Sequence, residues 1–144
     1  MTQKVLFQGG INCLSNMAAY AIELDGELWM TVEHAYQAAK FADEGLHKEI
    51  KEARSAYDAK RIADEHVADI RESWFDERLS VMDKLVRLKV EQHPHILKRL
   101  LKSNPAEIVE DTDDSFWGRG QSGEGENHLG KLWMEIRGEY ISKS

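Results

Sequence analysis

Three polar residues at helical spacing carry the first chemical signal. Glu33, Gln37 and Lys40 stand at i, i+4 and i+7 and share one helix face. Seven residues span roughly 10.5 Å along a helix, so Glu33 and Lys40 can bracket a small substrate without pairing directly. A glutamate in the first turn also sits where the helix dipole favours its anion. Further along, Asp113 and Asp114 precede Phe116-Trp117 in an 18-residue stretch from Asp111 to His128 that holds Gly118, Gly120, Gly123 and Gly125. A connection that long is commonly a ligand loop or a disordered segment. Its glycines let backbone approach a ligand, and the helix after it offers N–H groups to an anion. Spacing alone leaves each feature a plain alternative: an exposed polar helix face, and a bare linker. The aromatic pair beside two aspartates favours an ordered loop. Trp29 and Trp133 fit core patterns, whereas Trp74 and Trp117 fall at element edges among charges, suited to stacking on a ligand or to the margin of a core.

Other motifs fail on inspection. Gly125–Lys131 reads G-x-x-x-x-G-K, but Leu132 replaces the magnesium-binding Ser or Thr of a P-loop, and no room remains for its downstream strands. Asp111, Asp113 and Ser115 echo a calcium loop, yet Phe116 takes the glycine position and Ser122 the terminal glutamate. Glu33-His34 lacks the second histidine of H-E-x-x-H, and His93-Pro94-His95 lacks a third ligand, so no metal is expected. No nucleophile elbow is present, and the single cysteine, Cys13, is expected to pack in the interior.

The elements that must position these residues are mainly helical. Val5–Gln8 and Ala21–Trp29 read as short strands, the second turning at Asp25-Gly26. Thr31 caps a helix to about Phe41, with Val32, Ala35, Tyr36 and Ala39 at i, i+3, i+4 and i+7. Shorter helices follow over Leu46–Arg54 and Ser55–Ala63, the second opening with a box-like Ser55-x-x-Asp58. The longest helix is expected over Asp76–Gln92, with Val81, Leu85 and Leu88 on one side. Pro94 starts another through Lys102. Ile108 and Val109 suggest a short strand, and a last helix covers about Leu129–Ile141. The expected fold class is α+β, mainly α with a small β component, in one domain over residues 1–144.

Composition narrows the class. The chain has 144 residues, 42% hydrophobic and 31% charged, which excludes a disordered tail. Its longest apolar run, Met17 to Ile22, is far short of the roughly 20 residues of a membrane span, and no signal peptide is expected at its start. One cysteine suits a reducing, cytoplasmic setting. Twenty-six acids against 19 bases give a net charge of −7, which argues against extended nucleic-acid binding. Lys84, Arg87, Lys89, Lys98, Arg99 and Lys102 cluster in one stretch, either a local phosphate-steering patch or the solvated sides of two helices.

Taken in order, several short motifs resemble the NADAR family. They are Leu14-Ser15-Asn16; Asp25-Gly26 with Trp29; Thr31-x-Glu33-His34-x-x-Gln37-x-x-Lys40-Phe41; Trp74-x-x-x-Arg78 with Met82; Asp114-x-x-Trp117-Gly118; and Gly125-x-Asn127-x-Leu129-Gly130, then Met134 and Arg137. The resemblance covers nearly the whole chain. It implies cleavage of the bond between a base nitrogen and the anomeric carbon of ribose. The implied substrate is a ribose-5-phosphate-bearing riboflavin-biosynthesis intermediate or, as an alternative, ADP-ribosylated guanine; a silent ADP-ribose-binding module is the rival from another class. It also implies Glu33, Lys40, Asp114 and Trp117 as the active-site core, with Trp74 as a pocket wall and no cofactor. The residue chemistry suits that reaction: a carboxylate can steady positive charge on the sugar while a proton donor relieves the leaving nitrogen. Either Glu33 or Asp114 orients water with the other assisting, or Lys40 forms a Schiff base with the opened sugar. Arg78, with Gly118 and Asn127 of the loop, is expected to bind substrate, Arg78 through a phosphate.

Overall fold

Capping side chains set three of the helix starts. In the computed structural model, which describes residues 3–7 and 12–143, six helices and four short strands form an α+β fold. Asp25 and Gly26, with φ of 51° and 83°, make the tight turn joining β2 (Ile22–Leu24) to β3 (Glu27–Trp29), an antiparallel pair. Thr31 then caps α1 (Val32–Ala39), its hydroxyl accepting from the His34 N–H at 3.1 Å. Asp43 caps α2 (Glu44–Lys51), which therefore begins and ends earlier than the expected Leu46–Arg54. Ser55 caps α3 (Ala56–Asp64) through the Asp58 N–H at 3.1 Å. The long α4 (Trp74–Gln92) starts two residues before its expected position, and Pro94 opens α5 (Pro94–Lys102). β1 (Lys4–Phe7) and β4 (Glu107–Glu110) pair in parallel, Phe7 opposite Glu110; Gln8, expected to end β1, lies outside the described residues. α6 (His128–Lys143) closes the fold by packing on β4, α4 and α5.

α1 occupies the centre. It packs against α2, α3 and α4, and residues 32–38 are all buried, polar ones included. The expected exposed alternative for its polar face therefore fails: Glu33 is only 8% exposed and Gln37 only 3%. On α4 the buried stripe is Met82, Leu85, Val86, Lys89 and Val90, leaving Val81 and Leu88 half-buried at its margins. The stripe is rotated because α4 packs simultaneously on α1, β2, α5 and α6.

Between a phosphate-steering patch and solvated helix sides for the basic stretch, the packing favours the second. Arg87 is occupied by Asp83 and by Glu139, at 3.0 and 2.7 Å. Lys89 is fully buried, donating to the Ser15 carbonyl at 2.9 Å, and burial lowers its pKa to about 7. Lys84, Lys98, Arg99 and Lys102 remain exposed. Trp133 donates its indole N–H to the Leu14 carbonyl at 3.0 Å, so Lys89 and Trp133 together fix the backbone of residues 14–15 from below. The Glu33 N–H reaches the Asn16 carbonyl at 3.1 Å, tying this segment to the first turn of α1. No helix among the described residues is long and apolar enough to cross a membrane.

Candidate active site

The late loop is ordered by its own backbone. Arg119 N–H donates to the Glu110 carbonyl at 2.9 Å, Gly125 N–H to Arg119 at 2.7 Å, and Asn127 N–H to Gly118 at 2.9 Å. A Cβ on Gly118 would stand 2.6 Å from both the Glu110 carbonyl and the Thr112 hydroxyl. The glycine there serves the loop's close approach to itself rather than to a ligand. Nor are the first amides of α6 open to an anion: His128 N–H donates to Phe116 and Leu129 N–H to Trp117, each at 3.0 Å. Asn127, at φ 52°, accepts from the Glu110 N–H and donates to the Ile108 carbonyl, both at 2.9 Å. Gly118 and Asn127 thus shape the loop against β4, and neither lines a cavity.

What the loop brings to α1 is its entrance. One Asp114 carboxylate oxygen accepts from the N–H groups of Phe116 and Trp117, each at 2.8 Å, which turns the chain and swings the indole inward. Trp117 donates through Nε1 to the Tyr36 hydroxyl at 3.1 Å and meets that ring edge-on at 5.6 Å. Trp74 approaches the same ring at 5.1 Å. Both tryptophans are buried, Trp74 to 2% exposure, so their edge positions in the chain do not make them surface residues. Trp74 still forms part of a cavity wall.

Two adjoining cavities share Tyr36, Lys60, Asp114 and Trp117. The first, of about 420 Å³, gathers the carboxyls of Glu33, Glu110 and Asp114 with apolar surface from Met17, Met82 and Trp117; Lys60 is its only lining cation among the described residues. The second, of about 290 Å³, is bounded by Lys40, Lys60 and Arg78, with Asp64 and Trp74. A broader hollow of about 550 Å³ between β3 and α2 is lined by Glu27, Leu28, His47 and Lys51, and none of its lining side chains is buried. It lacks the converging enclosed acids and aromatics of the α1 site.

Electrostatics follow from burial. Enclosure raises the Glu33 pKa, opposed by the Gln37 amide N–H at 2.6 Å and by Lys40 and Lys60. Enclosure likewise lowers the Lys40 pKa, with Glu33 and Asp64 resisting. Desolvation thus outweighs mutual attraction at both groups, and the amine is brought closer to its neutral, nucleophilic form. Burial, with Glu33 and Asp114 nearby, pushes Glu110 up to about 8. Lys40 terminates α1, where Arg71 caps the helix by donating to the Ala39 carbonyl at 3.1 and 3.0 Å; the Arg71 N–H bonds the Lys40 carbonyl at 2.9 Å.

Arg78 makes no ion pair with Asp114. Its guanidinium lies 3.5 Å over the Phe116 ring, and its Nε is buried without a partner. His34, next to Glu33, is a packing residue: Nδ1 meets the Thr31 hydroxyl at 2.8 Å and Nε2 the Ala53 carbonyl at 3.1 Å. Among the described residues no cluster of three or more His, Cys, Asp or Glu can hold a metal ion.

Of the residues singled out in the sequence, Glu33, Lys40, Asp114, Trp117, Trp74 and Arg78 line one or both of the two cavities, and Gly118 and Asn127 line neither. The sequence reading missed Tyr36, Lys60, Glu110 and Asn16. Tyr36 read as an apolar contact, Lys60 as part of a polar helix, and Glu110 as one of a run of acids. Asn16 lay inside a recognised motif; its Oδ1 is buried without a partner on the wall of the first cavity.

A polar helix end facing an aromatic, acid-bearing loop across a divided cleft is the arrangement of a small-molecule enzyme site. The NADAR domain model matches residues 7–140, and the chain belongs to the NADAR family. It is 42% identical over 124 residues to the N-glycosidase YbiA of Escherichia coli, covering 85% of this chain and 78% of that protein. An N-glycosidase of Nostoc punctiforme is 34% identical over 131 residues, covering 88% and 84%. A riboflavin biosynthesis protein of Vibrio vulnificus is 36% identical over 127 residues, covering 88% of this chain but 35% of that longer protein. The solution NMR structure of Escherichia coli YbiA superimposes with a TM-score of 0.88 at 36% identity, covering 99% of this chain and 87% of that one.

Proposed function

We propose that this protein is an N-glycosidase that hydrolyses the bond between a base nitrogen and C1 of ribose, acting on a ribose-5-phosphate-bearing intermediate of riboflavin biosynthesis. The carrying observation is the convergence of Glu33, Lys40, Asp114 and Trp117 on two cavities with a shared wall. The names of the relatives support the reaction class, and the riboflavin-related name supports the substrate. In this reading the base enters the acidic cavity, whose Met17, Met82 and Trp117 surfaces suit a planar ring. The sugar's phosphate enters the other, toward Arg78, Lys60 and Lys40.

Lys40 is the nucleophile. With the ring opened by breaking C1–O4′, whose oxygen takes up a proton, the base is held to C1 as an imine. The neutral Lys40 amine adds to C1, forming a new N–C1 bond as the imine π pair moves to the base nitrogen. The C1–N bond to the base breaks, and its electron pair leaves on the base nitrogen, which takes up a proton. Water then adds to C1 of the Schiff base, the Lys40 bond breaks, and the sugar aldehyde departs. Glu33 accepts the proton of that water, and Asp114 steadies positive charge at C1.

The test presents the protein separately with a pyrimidine ribosylamine phosphate and with ADP-ribosyl-guanosine, and follows released sugar. Release from the first alone is the expected result. Release only from the second moves the substrate to ADP-ribosylated guanine, and binding without release from either overturns the enzymatic reading. Borohydride added during turnover should leave a sugar adduct on Lys40 by mass spectrometry; its absence would remove the covalent route.

A further inference from the structure

The proposed reaction needs a proton for the departing base nitrogen, and the steps above already commit Lys40 to C1 and Glu33 to water. The Lys40 amine must be neutral to attack. Burial raises the Glu33 pKa, but the Gln37 N–H at 2.6 Å, Lys40 and Lys60 oppose that rise and favour its anion.

We propose that Glu110 delivers that proton to the base. The assignment rests on the N-glycosidase reading and adds a residue that reading does not use. Glu110 ends β4 and is held there by two backbone bonds: its N–H donates to the Asn127 side chain and its carbonyl accepts from Arg119 N–H, both at 2.9 Å. Its carboxyl lines the cavity proposed for the base, on whose wall Trp117 lies. The hydrogen bond its carboxyl receives from Thr112 is long, at 3.5 Å.

Burial first, and the charges around it second, set its state. From α1 come Glu33 and Tyr36, from α3 Tyr57 and Lys60, and from the loop Asp114; Arg119 is turned to Asp111 at 3.6 Å. Three carboxyls facing one enclosed space cannot all ionise cheaply. The Gln37 N–H, Lys40 and Lys60 favour the Glu33 anion, whereas Glu110 has only the long Thr112 hydrogen bond to favour its own, so the proton stays on Glu110. Its pKa of about 8 leaves it a neutral acid at pH 7, close to the working range of a general acid. When the C1–N bond breaks, its electron pair goes to the base nitrogen, the Glu110 proton transfers to that nitrogen, and the carboxylate regains a proton from solvent before the next turnover.

The experiment compares wild type with Glu110→Gln on two phosphorylated ribosylamines, one with a basic leaving nitrogen and one with an electron-poor base that leaves without protonation. Glu110→Gln should lower kcat about 10²- to 10³-fold on the first and only a few-fold on the second, as expected for loss of a general acid. Equal losses on both substrates, or none on either, overturn the assignment. Wild type alone supplies an independent check against misfolding of the variant. Its kcat should fall on the alkaline side, from about pH 8, with the basic leaving group and stay flat with the electron-poor one; the same limb with both, or with neither, overturns Glu110. No sugar release by wild type from either compound overturns the proposed function itself, whereas release with an unimpaired Glu110→Gln overturns only this residue's role.

Discussion

The two cavities on either side of Tyr36 and Trp117 share a wall but differ in the balance of charge they face. One faces three carboxyls with one lysine; the other faces two lysines and an arginine, with Asp64 and Asp114 as the acids. The first also carries the methionine and indole surface that suits a planar ring, whereas the second carries Arg78 stacked on Phe116 with an unpartnered Nε. This asymmetry teaches that a protein of net charge −7 need not repel a phosphorylated substrate. The local field is set by which side chains a cavity collects.

The largest effect expected from breaking this asymmetry falls on Lys40. Lys40→Arg keeps a cation at the end of α1 but removes the nucleophile, and sugar release should drop by roughly a thousandfold or more. Steady-state turnover measures this, and near-normal activity would rule out the covalent step. Glu33→Gln should cost about 10²- to 10⁴-fold in kcat with substrate binding retained; unchanged turnover would strip Glu33 of its assigned part.

Next comes the phosphate side. Arg78→Ala should weaken binding of the phosphorylated substrate about 10- to 100-fold, the worth of one charge-assisted hydrogen bond, and leave the dephosphorylated analogue nearly unaffected. Equal losses in KM would make Arg78 a packing partner of Phe116 instead.

A smaller effect tests the frame rather than the cavities. Asn127→Ala leaves the Glu110 N–H and the Ile108 carbonyl without their side-chain partner, costing about 1–3 kcal/mol of stability by denaturant unfolding. Activity should fall only as the loop loosens, because the Asn127 amide is spent on β4.

The last is a pH dependence. The folded-state pKa of Glu110, about 8, lies above its ordinary 4.5, so the stability it contributes is fully present below pH 4.5 and is lost as pH rises through 8. Wild type should therefore lose thermal stability relative to Glu110→Gln between those values, read as a Tm gap that widens as pH rises. Lys89 acts with the opposite sign: its contribution is present above 10.5 and lost as pH falls through about 7. Comparing two proteins that both carry Lys89 cancels that term. A gap independent of pH would mean that Glu110 is not held protonated.

Much of the framework was legible in the chain because capping and turn chemistry is local. Thr31, Ser55, Asp25-Gly26 and Pro94 act on neighbours a few residues away, and the elements they punctuate lie close to where pattern places them. The ends of α2 and the buried face of α4 were not legible. The second depends on four packing partners from distant parts of the sequence. Periodicity also misjudged depth: it separated an alanine-rich side of α1 from a polar one, but helices on three flanks bury both. The motif positions pointed to Glu33, Lys40, Asp114 and Trp117, while nothing local distinguished Glu110 from the other acids of its run.

By itself, then, the sequence determined which side chains are present, where helices and turns begin, and the family whose spacing they share, since these depend on residue type and near neighbours. Only the tertiary structure decided which acids face one another, which lysine becomes a buried strut and which an amine at a cavity wall, and which glycines and asparagines are spent on the loop itself. Those outcomes depend on enclosure, and enclosure is created by segments 70 to 120 residues apart, as where Lys89 and Trp133 reach Ser15 and Leu14.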